Sequence, residues 1–342
     1  MSYYSQLLSI QQTNIYFKNF IIEYKGKLAR KKFACLTFFE ASKNLRCAEY
    51  VKPDPKLYEF ELSEHLEEKW KSAIEKSIPM FFCDDGRIRN IGGFQLFNRN
   101  SMDYSNEDFL YFKLSEYPKT IEEMKIARYF FQQLFKIVVR IAHFNGRIFN
   151  PKMIQLLFQE EISNMQLTIH SQEAYCLLSA NSYDPLDILT FAFNHLVSNK
   201  LVVDYRFERK IEENINILLE ILSKGGNKFS AVCCNEVSKF VYKTVMEHIE
   251  TSRNISNMVK KIKLCQVPGD IILSERAENI EVKVVNNFES KKYQLSNKYN
   301  QCWVWLRELA PEPGSGAGSG GAGAGAKILE TPEPELEPEP RI

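Results

Sequence analysis

Glycine is distributed unevenly along this chain. Seven of its fifteen glycines lie between Gly314 and Gly325, in the run Gly-Ser-Gly-Ala-Gly-Ser-Gly-Gly-Ala-Gly-Ala-Gly. Residues 1–309 hold only Gly26, Gly86, Gly92, Gly93, Gly146, Gly225, Gly226 and Gly269, under half the usual share of about 7%. Glycine takes positive φ without strain and lets a backbone close on a phosphate. A body so poor in it has little scope for a nucleotide-cradling loop. Consistent with that, residues 1–309 contain neither G-x-G-x-x-G nor G-x-x-x-x-G-K-[ST]. The same distribution sets a body, 1–309, apart from a tail, 310–342. The tail joins a Gly/Ala/Ser tether to alternating Pro and Glu from Pro332 to Pro340. That composition reads as flexible, extended and disordered.

The tail carries six acids and two bases, so the chain's net charge of +1 leaves +5 on the body. This is mildly basic, too little to argue for nucleic acid on its own. Residues 1–12 show no basic segment followed by an apolar one, so no signal peptide is expected. The longest apolar stretch, Ile126 to Phe144, includes Arg128, Lys136 and Arg140. It reads as a buried helix with His143 near its end, not as a membrane span. The eight cysteines then read as reduced thiols of a cytoplasmic or nuclear protein.

Residues 1–150 read as a mainly helical domain. Ser9 to Tyr50 is mostly helical in pattern, with a basic cluster at Lys25, Lys27, Arg30, Lys31 and Lys32. Pro53-Asp54-Pro55 breaks the chain, and Ser63 to Lys76 follows as a helix with Leu66, Trp70, Ala73 and Ile74 on one face. Short extended pieces occupy 78–114. Thr120 and Glu123 form a capping box for the strongest helix. Residues 151–309 read as an α/β interaction domain. Strands are expected at Met165–Ile169, Leu189–Phe193, Leu201–Phe207, Ile262–Leu264 and Ile280–Val284. Helices are expected at Ile211–Leu222 and Glu236–Ile249. The fold class is therefore α+β or irregular α/β. The spacing from Leu167 to Phe191 suits a degenerate leucine-rich repeat, but the next strand falls out of period.

Catalytic signatures are sparse. H-E-x-x-H and G-x-S-x-G are absent, and neither His65-x-Glu67 nor His248-x-Glu250 is followed by Pro-Cys-x-x-Cys. Cys233-Cys234 could join His248 and Cys265 at a metal, but small buried hydrophobes are the simpler reading. Asp84-Asp85-Gly86 and Asp184/Asp187 read as turn and helix-start signals. No metal or cofactor is expected. Trp303 and Trp305 flank Val304 at strand period, so both rings face one side. They either seal the core or anchor a partner.

Met165-Gln-Leu-Thr-Ile169, Ser182-Tyr-Asp-Pro-Leu-Asp-Ile188 and Leu189-Thr-Phe-Ala-Phe193 resemble the C-terminal domain of nematode F-box proteins of the FTH class. Phe207-Glu-Arg209, the helix Ile215–Leu222 and Glu278–Lys283 are similar too, so the resemblance spans roughly residues 150–290. It implies a domain that binds target proteins. It also implies an N-terminal F-box docking a Skp-type adaptor of a cullin ubiquitin ligase. The segment Phe38-Phe39-Glu-Ala-Ser-Lys-Asn-Leu45 is similar to the second half of an F-box, although the leading Leu-Pro is absent. The adaptor patch would include Leu36, Phe38 and Phe39.

The resulting reading is a protein-interaction module, a substrate receptor of a cullin-type ligase, more a binding protein than an enzyme. The alternatives are a nuclease-like subunit or a structural subunit of a complex. The nuclease reading would use Glu278 and Glu281 as metal-holding carboxylates and Lys283 to stabilise charge.

Overall fold

The computed structural model describes residues 30–40, 50–83, 91–97, 109–145, 147–159, 167–179, 185–207, 211–252, 256–267, 275–285, 288–296 and 301–308. Met1–Leu309 forms one compact unit and Ala310–Ile342 a second, which lies outside the described residues with the tail expectation. The expectations for Ser9 to Lys27, Asp84-Asp85 and Asp184 also lie outside them.

The body is mixed α/β. Thirteen strands are described: β1 (Lys31–Glu40), β2 (Phe81–Cys83), β3 (Ile91–Phe97), β4 (Phe109–Lys113), β5 (Ile137–Asn145), β6 (Arg147–Phe149), β7 (Ile169–Ser179), β8 (Leu196–Phe207), β9 (Phe229–Asn235), β10 (Lys261–Val267), β11 (Glu278–Val285), β12 (Phe288–Ser296) and β13 (Gln301–Glu308). Six α-helices accompany them: α1 (Glu64–Glu75), α2 (Ile121–Leu134), α3 (Pro151–Leu157), α4 (Pro185–His195), α5 (Ile211–Lys224) and α6 (Lys239–Thr251). Eleven strands form one sheet in the order β11-β12-β13-β10-β9-β8-β7-β5-β1-β3-β4, and β2 pairs with β6 apart from it.

The heart of this sheet is parallel. β1, β5, β7, β8, β9, β10 and β13 run in one direction. Antiparallel strands close both ends, β3 and β4 on one side and β12 and β11 on the other. From β5 to β10 the strands of the large sheet, β5, β7, β8, β9 and β10, are laid down in sequence order, each beside the last. A βαβ step keeps one hand, so steps taken in a single direction put every crossover helix on the same face. The helices accordingly pack in a row, α3 on α4, α4 on α5 and α5 on α6.

Register partners Ile141, Glu173, Lys200, Ala231 and Lys261 recur at intervals of 32, 27, 31 and 30 residues. This is a sustained β/α repeat of solenoid length. The sequence pattern missed it because Leu189–Phe193, expected as a strand, lies inside α4. Ile188, Leu189, Phe191 and Ala192 are all buried there, and a short apolar run of this kind fits either period.

Two further expectations are corrected. Lys31–Glu40, expected within a mostly helical segment, is strand β1, where Leu36 and Phe38 are buried at period two. The helix begun at Thr120 stops at Leu134, and Ile137–Asn145 is strand β5. Val138, Val139 and Ile141 are β-branched residues that fit a pleated surface better than a helix. The described part of 30–150 thus carries six strands and two α-helices, not a mainly helical domain. The boundary expected at 150–151 falls beneath a continuous sheet, since β5 from before it pairs directly with β7 from after it.

Helix starts follow local chemistry. Ser63 and Thr120 accept hydrogen bonds from the backbone N–H of Leu66 and Glu123 at 3.2 and 3.1 Å. Ser238 caps α6 in the same way through Val241 N–H at 3.2 Å. Such a cap contributes about 1 kcal/mol. Asn150 does more. Its Oδ1 accepts from Lys152 N–H at 3.0 Å, its Nδ2 donates to Pro79 O at 2.8 Å, and its N–H donates to Met80 O at 2.9 Å. One fully buried amide therefore starts α3 and ties it to the chain entering β2.

Candidate functional site

A single row of residues shows how the sheet divides its two faces. Leu36, Ala142, Ala174, Leu201, Val232, Ile262, Val304 and Tyr293 are register partners across eight adjacent strands. Each is 0% exposed. They belong to the main core under the helices. Their immediate neighbours point to the opposite face, because strand side chains alternate. There the row reads His143, Tyr175, Val202, Cys233, Lys263, Trp305, Lys292 and Glu281. Beside it runs Ile141, Glu173, Lys200, Ala231, Lys261 and Trp303. The second face carries a small apolar cluster of Val202, Cys233 and Cys265, with Tyr175 against them, and at the β3–β4 end an aromatic group of Phe39, Phe97, Phe109 and Tyr111. Among the described residues no helix is packed there.

This open face is the candidate site. At one end the Tyr175 ring stacks on His143 at 5.3 Å, and its hydroxyl donates to Glu173 Oε2 at 2.6 Å. Lys200 Nζ stands 3.7 Å from the same carboxylate oxygen. His143 Nδ1 is buried and has no hydrogen-bond partner among the described residues, and desolvation holds its pKa below the ordinary histidine value. At the other end the Trp303 and Trp305 rings lie 6.1 Å apart. The Lys292 ammonium sits 4.5 Å from the first ring centroid and 5.8 Å from the second. The two tryptophans are half-buried on this face, while Val304 between them faces the core. Between the two ends, Cys233 Sγ and Cys265 Sγ approach to 3.9 Å.

The other candidates are placed differently. Leu36, Phe38 and Phe39 are 0%, 6% and 7% exposed, so they offer no patch to an adaptor. Phe38 packs on Phe149 at 4.9 Å, and Phe39 packs on Tyr111 at 5.5 Å. Glu278, Glu281 and Lys283 lie on the exposed edge strand β11. Glu281 is ion-paired with Lys292 at 3.0 Å, which lowers its pKa through that hydrogen bond and charge. Among the described residues, no three His, Cys, Asp or Glu side chains are placed to share a metal ion. Cys233 and Cys234 face opposite sides of β9. Cys234 belongs to the main core and Cys233 to the small cluster, so the pair cannot chelate together.

Sequence reasoning found Trp303 and Trp305 but missed Tyr175, Lys261, Lys263, Lys200 and Glu173. The signal was present in Lys261-Ile-Lys-Leu-Cys265, where polar and apolar residues alternate. Reading only the apolar half of such a strand locates the core and leaves out its outer face.

The fold and site together define a one-sided parallel β/α protein with an aromatic and basic outer sheet face. Residues 51–207 match the family model described as a domain of unknown function, DUF8381. That stretch runs from the segment before α1 through β8 and so includes β5, β7 and β8 of the open face. No curated protein and no solved structure matches the chain. Among the described residues no helix is long and apolar enough to cross a membrane.

Proposed function

We propose that this protein is a protein-interaction module that docks its partner on the open face of the sheet. The observation that supports this is a parallel sheet with one face that no helix covers among the described residues. Parallel sheets are almost always covered on both faces, and here the helices take one. The exposed half carries Tyr175, Trp303, Trp305 and Arg307, residue types over-represented where proteins meet.

Charge favours an acidic polypeptide segment as the occupant. From β7 to β13 this face presents Lys200, Lys261, Lys263, Lys292 and Arg307 against Glu173, Asp204 and Glu281. Lys261 and Lys263 are exposed and project from β10, next to the last strand of the parallel block. They would attract the segment, and the indoles would hold it once seated. The buried positions of Leu36, Phe38 and Phe39 give an adaptor complex no surface. The reading is therefore a generic docking module, without a ligase assignment.

The test uses the full chain and a set of extended acidic peptides, with and without an aromatic residue, read by the fluorescence of Trp303 and Trp305. The double variant K261E/K263E should lose binding. Charge reversal on the helix side, at Lys71, should leave it intact. Equal binding by all three proteins, or binding indifferent to peptide charge, would refute docking on this face.

A further inference from the structure

Cysteine chemistry divides this protein as sharply as burial does. Cys176, Cys234 and Cys302 lie in the main core, where burial pushes each thiol up to about 12. They are inert at neutral pH. Cys233 and Cys265 sit on the opposite face, in the small cluster that no helix covers among the described residues. Their sulfurs are 3.9 Å apart. Cys265 is 9% exposed and Cys233 7%.

The surroundings of the two thiols are unequal. The Cys265 thiol is held below its ordinary value, first by the hydrogen bond from Cys233 and then by Lys263, Arg307 and Lys200, against the opposing effect of burial. Cys233 is held above its ordinary value by the same contact and by burial. Lys263 is on β10 with Cys265 and Arg307 is its register partner on β13, while Lys200 of β8 adds a further positive charge on the same face. Asp204 of β8 pairs in register with Asn235 of β9 and is the acid on that side, while Tyr175 of β7 closes the cluster. Two cations thus flank one thiol, and a second thiol lies 3.9 Å from it.

We propose that Cys265 and Cys233 form a thiol–disulfide site on the open sheet face, oxidised by hydroperoxides. The Cys265 thiolate attacks the terminal oxygen of the hydroperoxide. The S–O bond forms, the O–O bond breaks, and the leaving oxygen takes a proton to become water or an alcohol. Cys265 is then a sulfenic acid. The Cys233 sulfur attacks the Cys265 sulfur and expels hydroxide, which takes the Cys233 proton and leaves as water. The two thiols lose two electrons and the peroxide gains them. Closing the sulfurs from 3.9 Å to about 2.05 Å needs a local shift of β10. The register there breaks between Cys265 and Val267, and Gln266 takes a φ of 57°, so the strand leaves its regular ladder directly after Cys265.

The test treats the full chain with hydrogen peroxide across a pH series, followed by alkylation and peptide mapping. The Cys233–Cys265 disulfide should form first. The thiols of Cys176, Cys234 and Cys302 should react at least about tenfold more slowly than Cys265. The rate should rise with pH to a midpoint below the about 8.5 of a free thiol. In Cys233→Ser, oxidation should stop at a Cys265 sulfenic acid that dimedone captures, and Cys265→Ser should give neither product. The wild-type rates need no variant to fold. Alkylation of Cys265 no faster than Cys302, or disulfides formed only between chains, would overturn the proposal.

Discussion

Phe149 is the sharpest test of how this fold is held together. It is 0% exposed in β6, the short strand that pairs with β2 away from the large sheet. Its ring meets five others. Phe131 of α2 lies at 4.8 Å, Phe38 of β1 at 4.9 Å, Phe94 of β3 at 5.6 Å, Phe81 of β2 at 5.8 Å and Phe191 of α4 at 6.4 Å. One side chain thus joins both sheets and two helices. Replacing a buried Phe by Ala costs about 3–5 kcal/mol through lost transfer energy and the cavity left behind. Aromatic pairs add about 0.5–1.5 kcal/mol beyond area alone, so Phe149→Ala belongs at the top of that range. A domain's total stability is only about 5–15 kcal/mol. With a urea slope of about 3 kcal/mol/M, a loss of about 4.5 kcal/mol lowers the unfolding midpoint by about 1.5 M. The assay is equilibrium urea unfolding followed by intrinsic fluorescence. Phe240→Ala serves as the control, because Phe240 is 40% exposed and should change stability by no more than about 0.5 kcal/mol. A Phe149→Ala variant within about 1 kcal/mol of that control would show that β6 is not an aromatic hub, and the packing argument would fall.

Two other outcomes follow from single residues. His170 has its pKa brought down to about 4 by desolvation and then by the charge of Arg30. The unfolded chain therefore binds a proton that the folded chain refuses. The stability His170 contributes is whole above its unfolded value of about 6.5 and is lost as pH falls from there towards about 4. His170→Gln should flatten that part of a stability-against-pH profile, and an unchanged slope would refute the assignment. Gly93 has a φ of +140°, and a Cβ there would stand 2.0 Å from the Phe112 carbonyl oxygen. Gly93→Ala should break the β3–β4 pairing and lower the melting temperature well beyond Gly225→Ala, where the nearest atom is a Phe229 ring carbon at 3.1 Å. Equal effects in the two variants would count against the β3–β4 register.

Some of this was legible in the sequence for physical reasons that are easy to state. Caps are local chemistry, so Ser63 and Thr120 marked the starts of α1 and α2. Strand alternation placed β8, β10 and β11. The failures share one cause, which is that a residue buried on all sides carries no period. Leu189–Phe193 is apolar at both helical and strand spacings, and its burial beneath neighbouring helices is set by tertiary packing. Taken as a strand, that segment puts the repeat between β5 and β10 out of phase. Phe38 and Phe39 failed for a related reason. Both are buried, so two adjacent large apolar residues gave no alternation to show that Leu36 to Phe39 was a strand. For the site, the tryptophans were visible as a strand pair, but their neighbours in the row were not. Glu173, Lys200, Ala231 and Lys261 are about 30 residues apart in sequence and become adjacent only through strand order.

That strand order explains why a usable face exists at all. A doubly wound sheet reverses direction at a switch point, and its helices then cover both faces. From β5 to β10 this chain makes no reversal, so successive crossovers add helices to one side only. The antiparallel strands at the two ends extend the sheet, and among the described residues they add no helix to the other side. β13 carries Trp303 and Trp305 to the edge of the parallel block, and β12 brings Lys292 over them. The outer face is thereby assembled from side chains that the core does not use: every second residue of β7, β8, β9, β10 and β13 near its middle. The row of eight fully buried residues fixes the register from within. A one-residue slip of any strand would bury a charge such as Lys263 and expose a partner such as Ile262, a change the core forbids. The geometry of the outer face, including the contact between Cys233 and Cys265, is therefore held by packing on the opposite side of the same strands. Substitutions on the outer face should change binding or thiol chemistry while leaving the fold standing, and substitutions in the buried row should do the reverse.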